Sequence, residues 1–169
     1  MKIYEKLLQK SPMTRPDEKI EKVEKVVLHG LDSPCITALS YRNYLDSLSK
    51  QSTTYSSVHY IIGLDGEIIC CIPEVEVAWH AGNLQMNYKS LGIQLCHIAE
   101  NGRPNKKTRD SLVYLLSYLC QRYQLDPKQD LLLHAQITDE ICPRYYVEHE
   151  EEWEAIQLQV EQYIKQEES

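Results

Sequence analysis

Two short apolar runs each end in a histidine: Val26-Val27-Leu28 before His29, and Leu131-Leu132-Leu133 before His134. Cys142 follows in a polar stretch, with Pro143 directly behind it. A brief run of apolar residues bounded by turn signals reads as a strand. A strand end holds a ligand on a rigid element while its side chain reaches a cleft. Two imidazole nitrogens and one thiolate suit zinc, and catalytic zinc sites use three protein ligands with a fourth position left open for water. Spacing alone leaves another reading open, in which His29 and His134 are hydrogen-bonded core or surface histidines and Cys142 is a packed thiol. With 6 His and 6 Cys in the chain, many trios can be drawn.

The elements that must position these groups follow from periodicity and punctuation. The run 2–10 reads as a short helix stopped by Ser11-Pro12, and 11–25 as a polar arm leading into the domain. Residues 26–29 read as a strand. Thr37 can cap a helix that carries Ala38, Tyr41, Leu45 and Leu48 on one face. Residues 58–63 and 67–72 read as two strands joined by Leu64-Asp65-Gly66, because Asp-Gly is a hairpin signal. Within the first of these, His59 and Tyr60 must face opposite ways, one packed and the other near a cleft. Residues 90–97 form another apolar run of strand length. The spacing predicts a helix over 107–123 with Leu112, Leu115, Leu116, Leu119 and Tyr123 inward and Pro127 beyond its end. A buried strand over 131–133 delivers His134. A helix over 148–165 closes the chain with Trp153, Ile156, Val160 and Ile164 on one stripe. Strands alternate with helices but one hairpin interrupts them, so the expected fold class is α/β, a mixed sheet covered by helices.

A chain of 169 residues suits one domain with a real core. A net charge of −7 argues against nucleic acid or an anionic membrane as partner. The opening MKIYEKLLQK has no uninterrupted apolar stretch, and no run long enough to span a bilayer follows. The expectation is therefore a protein present in the cytoplasm at synthesis, without a membrane partner, and monomeric. In that compartment Cys35, Cys70, Cys71, Cys96 and Cys120 read as reduced packing thiols in apolar surroundings. His97 and His149 receive no functional role.

Five ordered motifs carry a wider resemblance: VVLHG at 26–30, SSVHYIIGLDGEI at 56–68, EVAWHAG at 76–82, NYKSLGIQLCH at 87–97 and HAQITDEICPRYY at 134–146. In this order and spacing the chain resembles the zinc-dependent N-acetylmuramoyl-L-alanine amidases. That family includes the amidase-type phage lysozymes, prophage endolysins and peptidoglycan recognition proteins. The resemblance runs from about residue 24 to about residue 155. It implies an amidase domain over 24–169 behind an N-terminal arm with a short helix over 1–23. The implied fold is a central mixed β-sheet flanked by helices, with zinc in an open groove. It implies Zn2+ held by His29, His134 and Cys142, and a substrate in peptidoglycan, the amide between N-acetylmuramic acid and L-alanine. By the same match His80 is a groove histidine that contacts substrate or steadies the transition state, or else a structural one. Trp79 walls the groove or fills the core, and Asn87 takes a polar groove position.

Three positions depart from the family pattern. Gln94 stands where the strand of the most similar branch has a glutamate expected to be the general base, and a carboxamide cannot accept and return a proton at neutral pH. Val58 stands where the amidase-type phage lysozymes place a tyrosine. Glu140 stands two residues before the metal-binding cysteine, where the family often has a lysine. Two expectations follow. In one, Glu140 supplies the missing carboxylate and Gln94 keeps a hydrogen bond to substrate or water. In the other, the protein is a catalytically impaired zinc-containing module that binds peptidoglycan fragments, since loss of a general base costs about 10²- to 10⁴-fold in rate. A cytoplasmic start fits a prophage endolysin awaiting release to the wall, or an enzyme that recycles imported wall fragments.

Overall fold

Why a mixed sheet forms is visible in which strands are buried on both faces. The computed structural model describes residues 1–51, 53–167 and 169. Its strands are β1 Ile3–Glu5, β2 Lys25–Gly30, β3 Tyr60–Ile62, β4 Ile68–Cys70, β5 Ser90–Leu95 and β6 Leu131–Leu133. Its helices are α1 Ala38–Gln51, α2 Leu84–Asn87, α3 Lys106–Tyr123, α4 Arg144–Glu148 and α5 Glu150–Glu167. The strands make one sheet in the order β1-β4-β3-β5-β2-β6. Every residue of central β5 is buried, as expected of a parallel strand covered on both sides.

The expected hairpin is present: β3 and β4 pair antiparallel, with Gly66 at φ +81° in the turn, a conformation that favours glycine. All other neighbouring strands run parallel. One apolar cluster lies under α3 and α5 and includes Leu28, Ile62, Ile93, Leu112, Leu116, Trp153 and Ile156. A second lies on the opposite face under α1 and includes Ala38, Leu45, Ile61, Ile69 and Cys96. Thr37 caps α1 by accepting from Ser40 N at 3.2 Å. Asn105 caps α3 by accepting from Thr108 N at 3.0 Å, and its amide donates to Leu64 O at 2.8 Å, tying helix to hairpin turn.

The helix expected over 2–10 does not form. Those residues add β1 to the edge of β4, and Lys6 N and Leu8 N continue the ladder onto Cys70 O and Cys71 O at 2.9 Å each. An open strand edge carries unpaired backbone groups, and satisfying them outweighs a weak local preference. Leu8 is buried by the same contact. Farther along, Arg15 grips Glu76 through two contacts of 2.6 and 2.7 Å. The closing helix is also divided differently: α4 stands apart from α5, with His149 between them. Among the thiols, Cys71, Cys96 and Cys120 are buried and Cys70 is half-buried, all free. Cys35 is not a packing residue: it is exposed, in the loop after β2.

β2, β3, β5 and β6 share one direction, so their carboxyl ends lie along one sheet edge. Open α/β sheets bind ligands at that edge. His29 is the penultimate residue of β2 and pairs in register with Gln94 of β5, while His134 directly follows β6.

Candidate active site

His29, His134 and Cys142 each offer one ligand atom, and the three atoms lie within 4.8 Å of one another. The two rings stand 4.5 Å apart, centroid to centroid. Hydrogen bonding decides which nitrogens are free. His134 Nε2 lies 3.0 Å from Ala81 O, a pure acceptor, so that nitrogen carries the proton and donates. Nδ1 of His134 then bears a lone pair, and it is the one buried side-chain nitrogen or oxygen among the described residues without a hydrogen-bond partner. Orphans of this kind call for an explanation, an ion among them.

His29 follows from a longer chain. Ser90 Oγ has one proton and donates it to Met86 O at 2.6 Å. It therefore accepts from His80 Nε2, 3.2 Å away. A neutral His80 then has a bare Nδ1, which accepts from His29 Nε2 at 3.0 Å. His29 is left with its Nδ1 lone pair free, like His134. Burial, with the adjacent His134 adding to it, holds His29 down at about 3, so the ring is neutral and able to ligate. Burial likewise keeps His80 well below the ordinary histidine range. Burial pushes the Cys142 thiol up to about 11, helped by Glu140 and Asp32 and opposed by its contact with Gly30 O. A thiolate is therefore disfavoured there until a cation arrives, and cations reverse such shifts. Two aimed imidazole lone pairs and one sulfur fit a metal of zinc type.

The trio lies in a groove of about 1110 Å³ that Gln94, Asn87, Trp79, His80 and Glu140 also line. Tyr44, Tyr55, Leu84 and Ile141 are exposed along it. Glu140 is largely exposed and places Oε2 3.7 Å from His134 Nδ1. Trp79 packs against the core and also walls the groove, anchored by Nε1 donating to Pro12 O at 2.7 Å. Asn87 turns its oxygen to the backbone, accepting from His80 N at 3.1 Å and Ala81 N at 2.8 Å. Neither His59 nor Tyr60 lines the groove; both are buried. His59 accepts from Gly92 N at 3.0 Å and donates to Glu76 O at 2.8 Å, a structural role behind His80.

The sequence profile of the N-acetylmuramoyl-L-alanine amidases matches residues 19–145. The chain belongs to this amidase family. The amidase BlyA of Bacillus subtilis is 28% identical over 158 residues, which cover 83% of this chain and 41% of that protein. The amidase CwlL of Bacillus licheniformis is 27% identical over 161 residues, 87% of this chain and 43% of that one. The chain thus spans less than half the length of these curated relatives. Among solved structures, the PlyG catalytic domain superposes with a TM-score of 0.80 at 22% identity, over 97% of this chain and 96% of that one. Staphylococcus aureus hydrolase AmiA in complex with its ligand gives 0.74 at 18% identity, over 97% and 84%. These similarities show the amidase fold.

Within the amidase fold, sequence reasoning missed Ser90 and the Ala81 carbonyl. Both act through hydrogen bonds to the site histidines, and neither residue type announces itself in a sequence. Tyr41, whose hydroxyl burial holds above the ordinary range, lines the groove, although its helical spacing marks it only as a packing residue. Val58 is buried at the groove wall, where it offers no proton-transfer group.

Proposed function

We propose that the protein is a zinc-dependent hydrolase that cleaves the amide between N-acetylmuramic acid and L-alanine in peptidoglycan. The observation that carries the zinc reading is the orphaned Nδ1 of His134, in a trio whose ligand atoms, with those of His29 and Cys142, lie within 4.8 Å of one another. His29, His134 and Cys142 would hold Zn2+, which when bound polarises a carbonyl and lowers the pKa of water. Glu140 is a carboxylate beside His134 and, on an exposed loop, can swing to take a proton from attacking water and return it to the leaving amine. Gln94, beside His29 on the adjacent strand, donates to the substrate carbonyl or orients the water. The groove volume of about 1110 Å³ and its exposed tyrosine rings suit a glycopeptide, with Trp79 as a wall.

The test is to incubate metal-verified protein with purified peptidoglycan and follow newly freed L-alanine amino termini. Release that stops with chelator, and in His29→Ala and Cys142→Ala, is expected; wild-type release in either variant refutes the reading. Glu140→Gln is expected to lower kcat about 10²- to 10⁴-fold. A second reading, a muropeptide-binding module with little turnover, is favoured by Gln94 standing where a carboxylate is expected. It predicts muropeptide binding without product, and turnover gained by Gln94→Glu.

A further inference from the structure

We propose that Asn87 is the positioning residue for both histidine ligands, acting through the His80-Ala81 dipeptide. The inference rests on the metal reading of His29, His134 and Cys142. One carboxamide oxygen accepts two backbone N–H groups in succession, His80 N at 3.1 Å and Ala81 N at 2.8 Å. Both partners are donors, so the oxygen and not the nitrogen of the amide must face them. The dipeptide so held supplies one acceptor to each ligand: the His80 ring takes the Nε2–H of His29, and the Ala81 carbonyl takes the Nε2–H of His134, each at 3.0 Å. Asn87 is buried, and its oxygen bonds to the dipeptide that in turn meets each ligand.

The short helix α2 fastens the arrangement at a second point. Its Met86 carbonyl orients Ser90, whose oxygen receives the far nitrogen of His80. His80 is therefore fixed at its backbone by Asn87 and at its ring tip by Ser90. An outer hydrogen bond to a ligating histidine sets its tautomer and ring orientation, and removing one typically weakens metal binding about 10- to 100-fold. Here a single side chain serves two such bonds.

The experiment measures zinc dissociation constants by chelator competition for the wild type, Asn87→Ala and Asn87→Asp, with melting of each zinc-free protein in parallel. Asp keeps an acceptor oxygen at the same reach. The expected result is zinc binding weakened about 10- to 100-fold or more in Asn87→Ala and held within about threefold of wild type in Asn87→Asp. Asn87→Ala binding zinc as tightly as wild type, with only its zinc-free melting lowered, overturns the inference and leaves the metal reading standing. A wild type that holds no zinc overturns both. Imidazole nitrogen NMR of the zinc-free wild type tests the same geometry without a variant. His29, His80 and His134 should all be Nε2–H tautomers with protons protected from exchange, and an Nδ1–H tautomer at either ligand overturns the inference.

Discussion

Gly92→Ala perturbs the support of the proposed metal site from the far side. Gly92 lies within β5, and a Cβ built there would stand 2.6 Å from His80 Cγ and 2.8 Å from its Nδ1. To reach an ordinary contact of 3.4 Å the ring must retreat by about 0.8 Å. It has little room. Its backbone N–H is held by Asn87, its Nε2 by Ser90, and the His59 ring stands 5.9 Å away, edge to face. Two effects of opposite sign compete. Replacing glycine where the backbone tolerates alanine stabilises by about 0.4–1 kcal/mol through the unfolded chain. Overpacking a close-packed site costs about 1–3 kcal/mol, and weakening the buried His29–His80 bond costs about 1 kcal/mol more. The clash wins by about 1–3.6 kcal/mol, so the expected result is a Tm lowered by about 2–14 °C. Because the displaced ring is the acceptor for His29, zinc affinity should also fall about 10- to 100-fold. Calorimetry with and without zinc, together with chelator competition, reads both quantities. A Tm equal to or above wild type with unchanged zinc affinity would show that His80 neither fills the space over Gly92 nor supports His29.

Acidification should destabilise the fold through His59, which burial holds at about 4 against an ordinary 6.5. The unfolded chain then takes up the proton first, so stability is complete above pH 6.5 and is lost as pH falls toward 4, by about 3 kcal/mol from this group. Denaturant unfolding of His59→Gln across that window should show a shallower slope than wild type, and an equal slope refutes the assignment. Zinc at about 100 times its dissociation constant should stabilise the wild type by about 2.7 kcal/mol. Cys142→Ala should largely lose that gain, which differential scanning at fixed zinc measures directly. Asn105→Ala removes both the cap of α3 and the bond to Leu64 O, and should cost about 1–2 kcal/mol in chemical denaturation. A loss below about 0.3 kcal/mol refutes that double role.

The mixed sheet, the β3–β4 hairpin, α1 and α3 were readable because each rests on local signals: apolar period, a cap, an Asp-Gly turn. His29 and His134 stood out because each ends an apolar strand, and a strand end needs no long-range knowledge to be placed on a sheet edge. The N-terminal segment is not legible in the sequence for the converse reason. Residues 2–10 have ambiguous period, and their state is set by the open edge of β4, some sixty residues away in sequence. Cys35 looked like a packing thiol by composition, yet loop geometry leaves it at the surface.

The sequence by itself determined the inventory: two strand-end histidines, a following cysteine, a glutamine and a glutamate at unusual places, and the strand and helix periods that carry them. Tertiary structure decided which nitrogen of each histidine is free. That choice depends on Ala81 O, His80 Nδ1, Ser90 Oγ and Asn87 Oδ1 meeting at distances near 3 Å. Backbone carbonyls and neutral hydroxyls are common to every sequence. They acquire a role in orienting a site only when the fold excludes water around them and leaves each donor a single acceptor.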